Sequence, residues 1–105
     1  ILFEIYKDKS GKFRFRLKAK NGEIICSSQA YTLKSSCLKG ANSLILNSKK
    51  IKSFRIIKNK AGKLFFNVVA RNNKVIATSQ AYKSENSLKK GIDSVKKNAT
   101  KKNLN

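Results

Sequence analysis

FEIYKDKSGKFRFRLKAKNGEIICSSQAY, residues 3–31, lies over FRIIKNKAGKLFFNVVARNNKVIATSQAY, residues 54–82, when the chain is shifted by 51 positions. The match continues with CLKGANSLILNS over LKKGIDSVKKNA, and roughly 20 of about 48 aligned positions are identical. Phe3 meets Phe54, Gly11 meets Gly62, Asn21 meets Asn72, Gln29 meets Gln80, Tyr31 meets Tyr82 and Gly40 meets Gly91. Self-similarity at a fixed period marks a duplication. Each half is too small to bury its own apolar face. The two repeats, about residues 3–50 and 54–101, are therefore expected to share one core within a single domain, 1–105, about a pseudo-twofold axis. Only the basic turn at residues 49–53 separates them, which implies tight docking rather than beads on a string.

Within each repeat the periodicity changes. Phe3 and Ile5, then Phe13, Phe15, Leu17 and Ala19, alternate with polar partners, as strands with one buried face require. Ser10 and Gly11, with Ala61 and Gly62, mark the first hairpin turn; Asn21 and Gly22, with Asn72 and Asn73, supply the positive φ of a tight second turn. A third strand follows at Ile24–Ser28 and Val75–Ser79. After SSQAY or TSQAY the spacing becomes helical: Cys37, Ala41 and Leu44 with Leu38 and Ile45, and Leu88, Ile92, Val95 and Ala99. Ser84 is placed to cap the second helix, and the first is expected to start from Thr32 or Ser35. An eight-residue strand over residues 12–19 and a helix of about 13 residues match in length. Gly40 and Gly91 fall mid-helix, a locally unfavourable place that implies a close approach to the sheet. The fold class is α+β: tandem βββα repeats forming one antiparallel-rich sheet, two helices on one face and the other face uncovered.

A repeat reading F-x-I-Y/I-K-x-x-x-G-K-x-x-F, then A-x-N, S-Q-A-Y and G-x-x-S resembles the YegP-like family of small bacterial proteins, over essentially the whole chain. The resemblance implies a single sheet assembled from two repeats or two subunits with helices packed on it. It brings no established activity and no catalytic residues. The chain departs from the pattern in charge, with Lys39 and Lys89 where the family's helix often carries acid.

The charge is the strongest functional signal. Lys and Arg number 25 against 5 acids, a formal net charge of +20, and all but four of the cations are lysine. A/T-rich coding would raise lysine, but it would raise glutamate as well, and the only acids are Glu4, Asp8, Glu23, Glu85 and Asp93. The scarcity of acid points to an anionic partner; a surface that serves solubility alone is the alternative. Histidine is absent, which removes the commonest acid/base group and metal ligand, so no catalytic residues, metal site or cofactor are expected. Cys26 and Cys37 read as small hydrophobes in a core, with reduced thiols. No apolar run is long enough to span a bilayer, and residues 1–6 lack a basic n-region, so we read no signal peptide and expect a cytoplasmic protein without a small-molecule ligand.

Strand alternation selects the candidate site. If Phe13, Phe15 and Leu17 point inward, Lys12, Arg14, Arg16 and Lys18 point outward. In the second repeat the outward set is Lys63, Phe65, Asn67, Val69 and Arg71, joined by Tyr6, Arg55 and Ile57 from neighbouring strands. Cations for phosphates beside rings for bases is the pairing used by open sheets that bind single strands. The expected function is non-enzymatic binding of RNA or single-stranded DNA: Arg14, Arg16 and Lys18 hold phosphates, Lys12, Arg55, Lys63 and Arg71 extend the patch, and Tyr6 and Phe65 stack on bases. The alternative is a module that dimerises through Phe65 and Val69. Lys89, Lys90, Lys96 and Lys97 form a second basic surface on the outer side of the second helix, continuing into Lys101 and Lys102 of a frayed tail. The SQAY residues Ser28, Gln29 and Tyr31, with Ser79, Gln80 and Tyr82, are read as satisfying backbone groups at the strand-to-helix junction.

Overall fold

The two repeats meet where Ile24–Ser28 (β3) runs antiparallel to Val75–Ser79 (β6), pairing Cys26 with Ser79, Ser27 with Thr78 and Ser28 with Ala77. Ser27 and Thr78 occupy equivalent positions in the repeat, so this register places the pseudo-twofold axis between them. Outward from the axis lie Phe13–Lys18 (β2) and Phe3–Lys7 (β1) on one side, and Leu64–Val69 (β5) and Phe54–Lys58 (β4) on the other. The computed structural model describes residues 3–104. Its six strands form one sheet in the order β1-β2-β3-β6-β5-β4, antiparallel throughout. Helices Lys34–Asn47 (α1) and Glu85–Asn98 (α2) pack on one face, as the alternation required.

The turns follow the sequence chemistry. Gly11 and Gly62 have φ of 82°, Gly22 has 87° and Asn73 has 67°, the left-handed backbone that a Cβ disfavours. Asp8 Oδ1 accepts bonds from the Ser10 and Lys12 amides, both at 3.0 Å, and Asn59 does the same for Ala61 and Lys63. The serines of the SQAY segments act as read: Ser28 Oγ accepts from the Phe15 amide at 2.9 Å and donates to the Gln29 carbonyl, and Ser79 repeats this with Phe66 and Gln80. Tyr31 then exchanges two backbone bonds with Phe13, and Tyr82 with Leu64.

Three expectations change. The second strand has six residues rather than eight, because its ends turn back into hairpins held by Asp8 and Glu23 backbone bonds. The first helix begins at Lys34 behind Leu33, with no side-chain cap, so neither Thr32 nor Ser35 is the cap; Ser84 does cap the second, accepting from the Ser87 amide at 3.2 Å. The tail is not frayed over its last turn: Lys101–Leu104 forms a short helix (α3) against β1 and α1, with Leu104 packed on the core. Lys49 clasps the repeats together, its Nζ donating to the Lys96 carbonyl at 2.9 Å near the end of α2, where a cation complements the helix dipole.

Phe15, Leu17, Leu44, Phe66, Val68, Leu88 and Val95 form the centre of one core drawn from both repeats. Cys26 and Cys37 are buried free thiols within it, and desolvation pushes Cys26 up to about 12, so it is no nucleophile near neutral pH.

The mid-helix glycines make room for the tyrosine rings bridged to the sheet and, at Gly40, for the Phe15 ring of β2 as well. A Cβ on Gly91 would lie 2.7 Å from Tyr82 Cζ, and one on Gly40 would lie 2.9 Å from Tyr31 Cζ. Tyr82 cannot swing away freely, since its ring stacks on Phe66 at 6.4 Å and 10°. Gly91→Ala gains about 1 kcal/mol of helix propensity, but overpacking of this kind costs about 1–3 kcal/mol. The expected result is net destabilisation in urea denaturation, partly relieved when Tyr82→Phe removes the nearest atom. A stabilised alanine variant would contradict this packing.

Candidate functional site

The uncovered face is crossed by one row of side chains. Register places Glu4 beside Arg16, Arg16 beside Ser27, Ser27 beside Thr78, Thr78 beside Asn67 and Asn67 beside Arg55. Tyr6 lies opposite Arg14, and Ile57 opposite Phe65. Six of the sequence-selected residues, Tyr6, Arg14, Arg16, Lys18, Arg55 and Phe65, therefore share this face. Lys12, Lys63 and Arg71 sit beyond the strand ends, in the hairpin connections. Val69 follows the register shift between Val68 and Val69 and is only 5% exposed, too enclosed to serve as a contact.

The cations on this face are already occupied. Arg14 Nε donates to Asp8 Oδ2 at 2.9 Å, Arg16 pairs with Glu4, and Lys18 Nζ reaches Glu4 Oε2 at 3.1 Å. The Arg16 guanidinium also lies 4.5 Å from the centroid of Tyr6, covering the ring expected to stack on a base. Arg55 Nη2 donates to Asn73 Oδ1 at 2.8 Å. Sequence reading missed Glu4 and Asp8 as partners, although the alternation of Phe3, Glu4 and Ile5 already placed Glu4 on the outer face. What it lacked was the hairpin register, which sets Glu4 beside Arg16.

These contacts depress both carboxyl groups. Lys18 and then Arg16 stabilise ionised Glu4, while the Ser10 hydroxyl, the Lys12 amide and Arg14 hold Asp8 far below the ordinary range. A lowered folded-state pKa gives stability that is full above the unfolded value of about 4 and lost as pH falls through the folded value. Thermal stability is therefore expected to decline below about pH 4. Asp8→Asn should keep the turn, because Asn59 makes the same two amide bonds in the second repeat, yet flatten the acid limb. An unchanged acid limb would contradict the assignment.

Among the described residues, these three ion pairs are the only ones, so the other cations have no carboxylate beside them. Lys39, Lys89, Lys90 and Lys97 are exposed on α1 and α2, and Lys101 and Lys102 on α3. Glu85 and Asp93 are the acids of that layer. Among the described residues, no three Cys, Asp or Glu gather at a metal-sized site, and no helix is long and apolar enough to cross a membrane.

A continuous six-stranded antiparallel sheet built from two βββα repeats about a pseudo-twofold axis, with helices on one side, defines a tandem-repeat α+β domain. The chain belongs to the family described as a domain of unknown function, DUF1508, whose model matches residues 8–50 and 59–105, one match for each repeat. It is 48% identical over 97 residues to a UPF0339 protein from the ptx operon 5′ region of Stutzerimonas stutzeri, covering 92% of this chain and 87% of that protein. It is 42% identical over 98 residues to the UPF0339 protein YegP of Escherichia coli K12, covering 93% and 89%. The solution structure of E. coli YegP superposes with a TM-score of 0.88 at 42% identity, over 93% of this chain and 84% of that one. A UPF0339 protein of Shewanella oneidensis gives 0.87 at 38% identity, over 92% and 82%. The resemblance carried by the repeated motif is thus a family relationship.

Proposed function

We propose that this protein is a non-catalytic domain that binds nucleic acid through the phosphate backbone, using the lysines outside the open sheet face. One observation carries the reading: 25 cations face 5 acids, and the ion pairs formed by Glu4 and Asp8 absorb charge only from Arg14, Arg16 and Lys18. A surface of like charges destabilises itself, and a polyanion that displaces its counterions relieves that repulsion. Tyr6 is covered by Arg16, which leaves Phe65 as the one ring of the expected pair without a cation over it, and backbone contact favours low sequence preference. The test is fluorescence anisotropy with a labelled single-stranded RNA. Saturable binding with a Kd of about 1–100 μM near physiological salt is expected. Absence of binding even at about 0.05 M salt would overturn the proposal.

A further inference from the structure

A cleft of about 310 Å³ opens where the end of α1 and the following 3-10 turn meet the β5–β6 connection, and Lys50, Lys52 and Arg71 line it together with Asn47, Ser53 and Asn73. No acid lines it. The second concavity, about 360 Å³ beside α2, contrasts with it by setting Glu23 against Lys90. The end of α1 contributes a partial negative charge, which three full cations outweigh. Three like charges around one hollow repel one another, and an anion seated there removes the repulsion.

The amides refine the choice. Asn47 Nδ2 is committed to the Ser43 carbonyl at 2.8 Å and to Ser43 Oγ at 3.2 Å, leaving its Oδ1 as an acceptor. Asn73 Oδ1 is committed to Arg55, leaving its Nδ2 as a donor. Asn73 also occupies the left-handed backbone for which the first repeat uses Gly22, so this turn carries a side chain where its counterpart has none. At the pseudo-symmetric end Lys101 and Lys20 stand for Lys50 and Arg71, but Asn103 stands for Lys52, Gly22 for Asn73, and Leu104, packed on the core, for Ser53, so one cation and the Asn73 amide are missing there.

We infer that this cleft is a phosphate subsite for a phosphate borne next to a hydroxyl group, as in a nucleotide. Lys50, Lys52, Arg71 and Asn73 Nδ2 hold the phosphate oxygens, and Asn47 Oδ1 accepts from the neighbouring hydroxyl. The inference deepens the nucleic-acid reading and rests on it, fixing one point at which the backbone is gripped.

The experiment is amide NMR on the full chain, titrated separately with inorganic phosphate, adenosine monophosphate and single-stranded RNA. All three are expected to shift amides at residues 50–53 and 70–73, with the nucleotide binding more tightly than phosphate alone. Lys52→Gln with Arg71→Gln, both exposed residues, should weaken the nucleotide at least about tenfold. Lys52→Gln alone should have a smaller effect in the same direction. RNA binding that leaves these amides unmoved and survives the double substitution overturns the subsite while sparing the wider reading. Failure of RNA to bind at all overturns both. Equal affinity for phosphate and nucleotide overturns the role of the hydroxyl.

Discussion

Phe66→Ala is expected to lower the free energy of unfolding by about 3–5 kcal/mol, a large share of the 5–15 kcal/mol typical of such a domain. The ring is fully buried, meets Phe54 edge-on at 5.6 Å and stacks with Tyr82, so truncation leaves a cavity that these neighbours cannot fill without losing their own contacts. The loss should not stay within the second repeat. β3 and β6 are hydrogen-bonded across the pseudo-twofold axis, and Phe15, Phe66, Leu44 and Leu88 belong to one core. Far-UV circular dichroism and tyrosine fluorescence should therefore report a single, coincident transition at lower urea concentration. Tyr6 and Tyr31 supply the fluorescence of the first repeat, and Tyr82 that of the second. Two separate transitions, with the first repeat at its original midpoint, would show that the repeats fold independently.

The second large effect concerns binding. Lys89→Gln, Lys90→Gln and Lys97→Gln together remove three exposed charges from α2. Arg14→Gln, Arg16→Gln and Lys18→Gln together remove the same number from the sheet face. Uniform long-range attraction would make the two triple variants equal. Screening limits the reach of a charge to about 8 Å at physiological salt, so only cations near the ligand should matter. Each lost phosphate contact on a single strand is worth up to about fivefold at 0.1 M salt, which gives the α2 variant a loss of about tenfold to a hundredfold. The sheet variant should lose about threefold or less, since its cations are spent on Glu4 and Asp8. The reverse order in an anisotropy titration would return the binding surface to the open sheet.

Much of the fold was legible because it rests on local rules written twice. The apolar alternation of residues 13–17, the left-handed turn position at Gly22, filled by Asn73 in the second copy, and the Cys37, Ala41, Leu44 spacing each recur one repeat later, and each agrees with the structure. The first helix start was harder to read, since Leu33 has no side-chain oxygen to mark it as a cap and only its carbonyl takes part, accepting from the Cys37 amide. The tail eluded the pattern because a four-residue helix has no periodicity; Leu104 orders it by reaching the core. For the candidate site, alternation placed Arg14, Arg16 and Lys18 on the correct face, but facing solvent is not the same as being unpaired. Their partners, six and more residues away in sequence, come alongside only through the hairpin. The cleft at Lys50, Lys52 and Arg71 was equally hidden, since it joins the linker to a turn of the second repeat across the end of a helix.

The most direct test of the account is the affinity for a single-stranded RNA measured across salt concentrations from about 0.05 to 0.3 M. Backbone binding by several unpaired lysines predicts a linear fall of log K with log salt, of slope about −0.7 for each phosphate engaged and about −2 to −4 in total. A slope near zero, or no measurable binding at the lowest salt, would mean that the excess of positive charge serves some end other than holding nucleic acid.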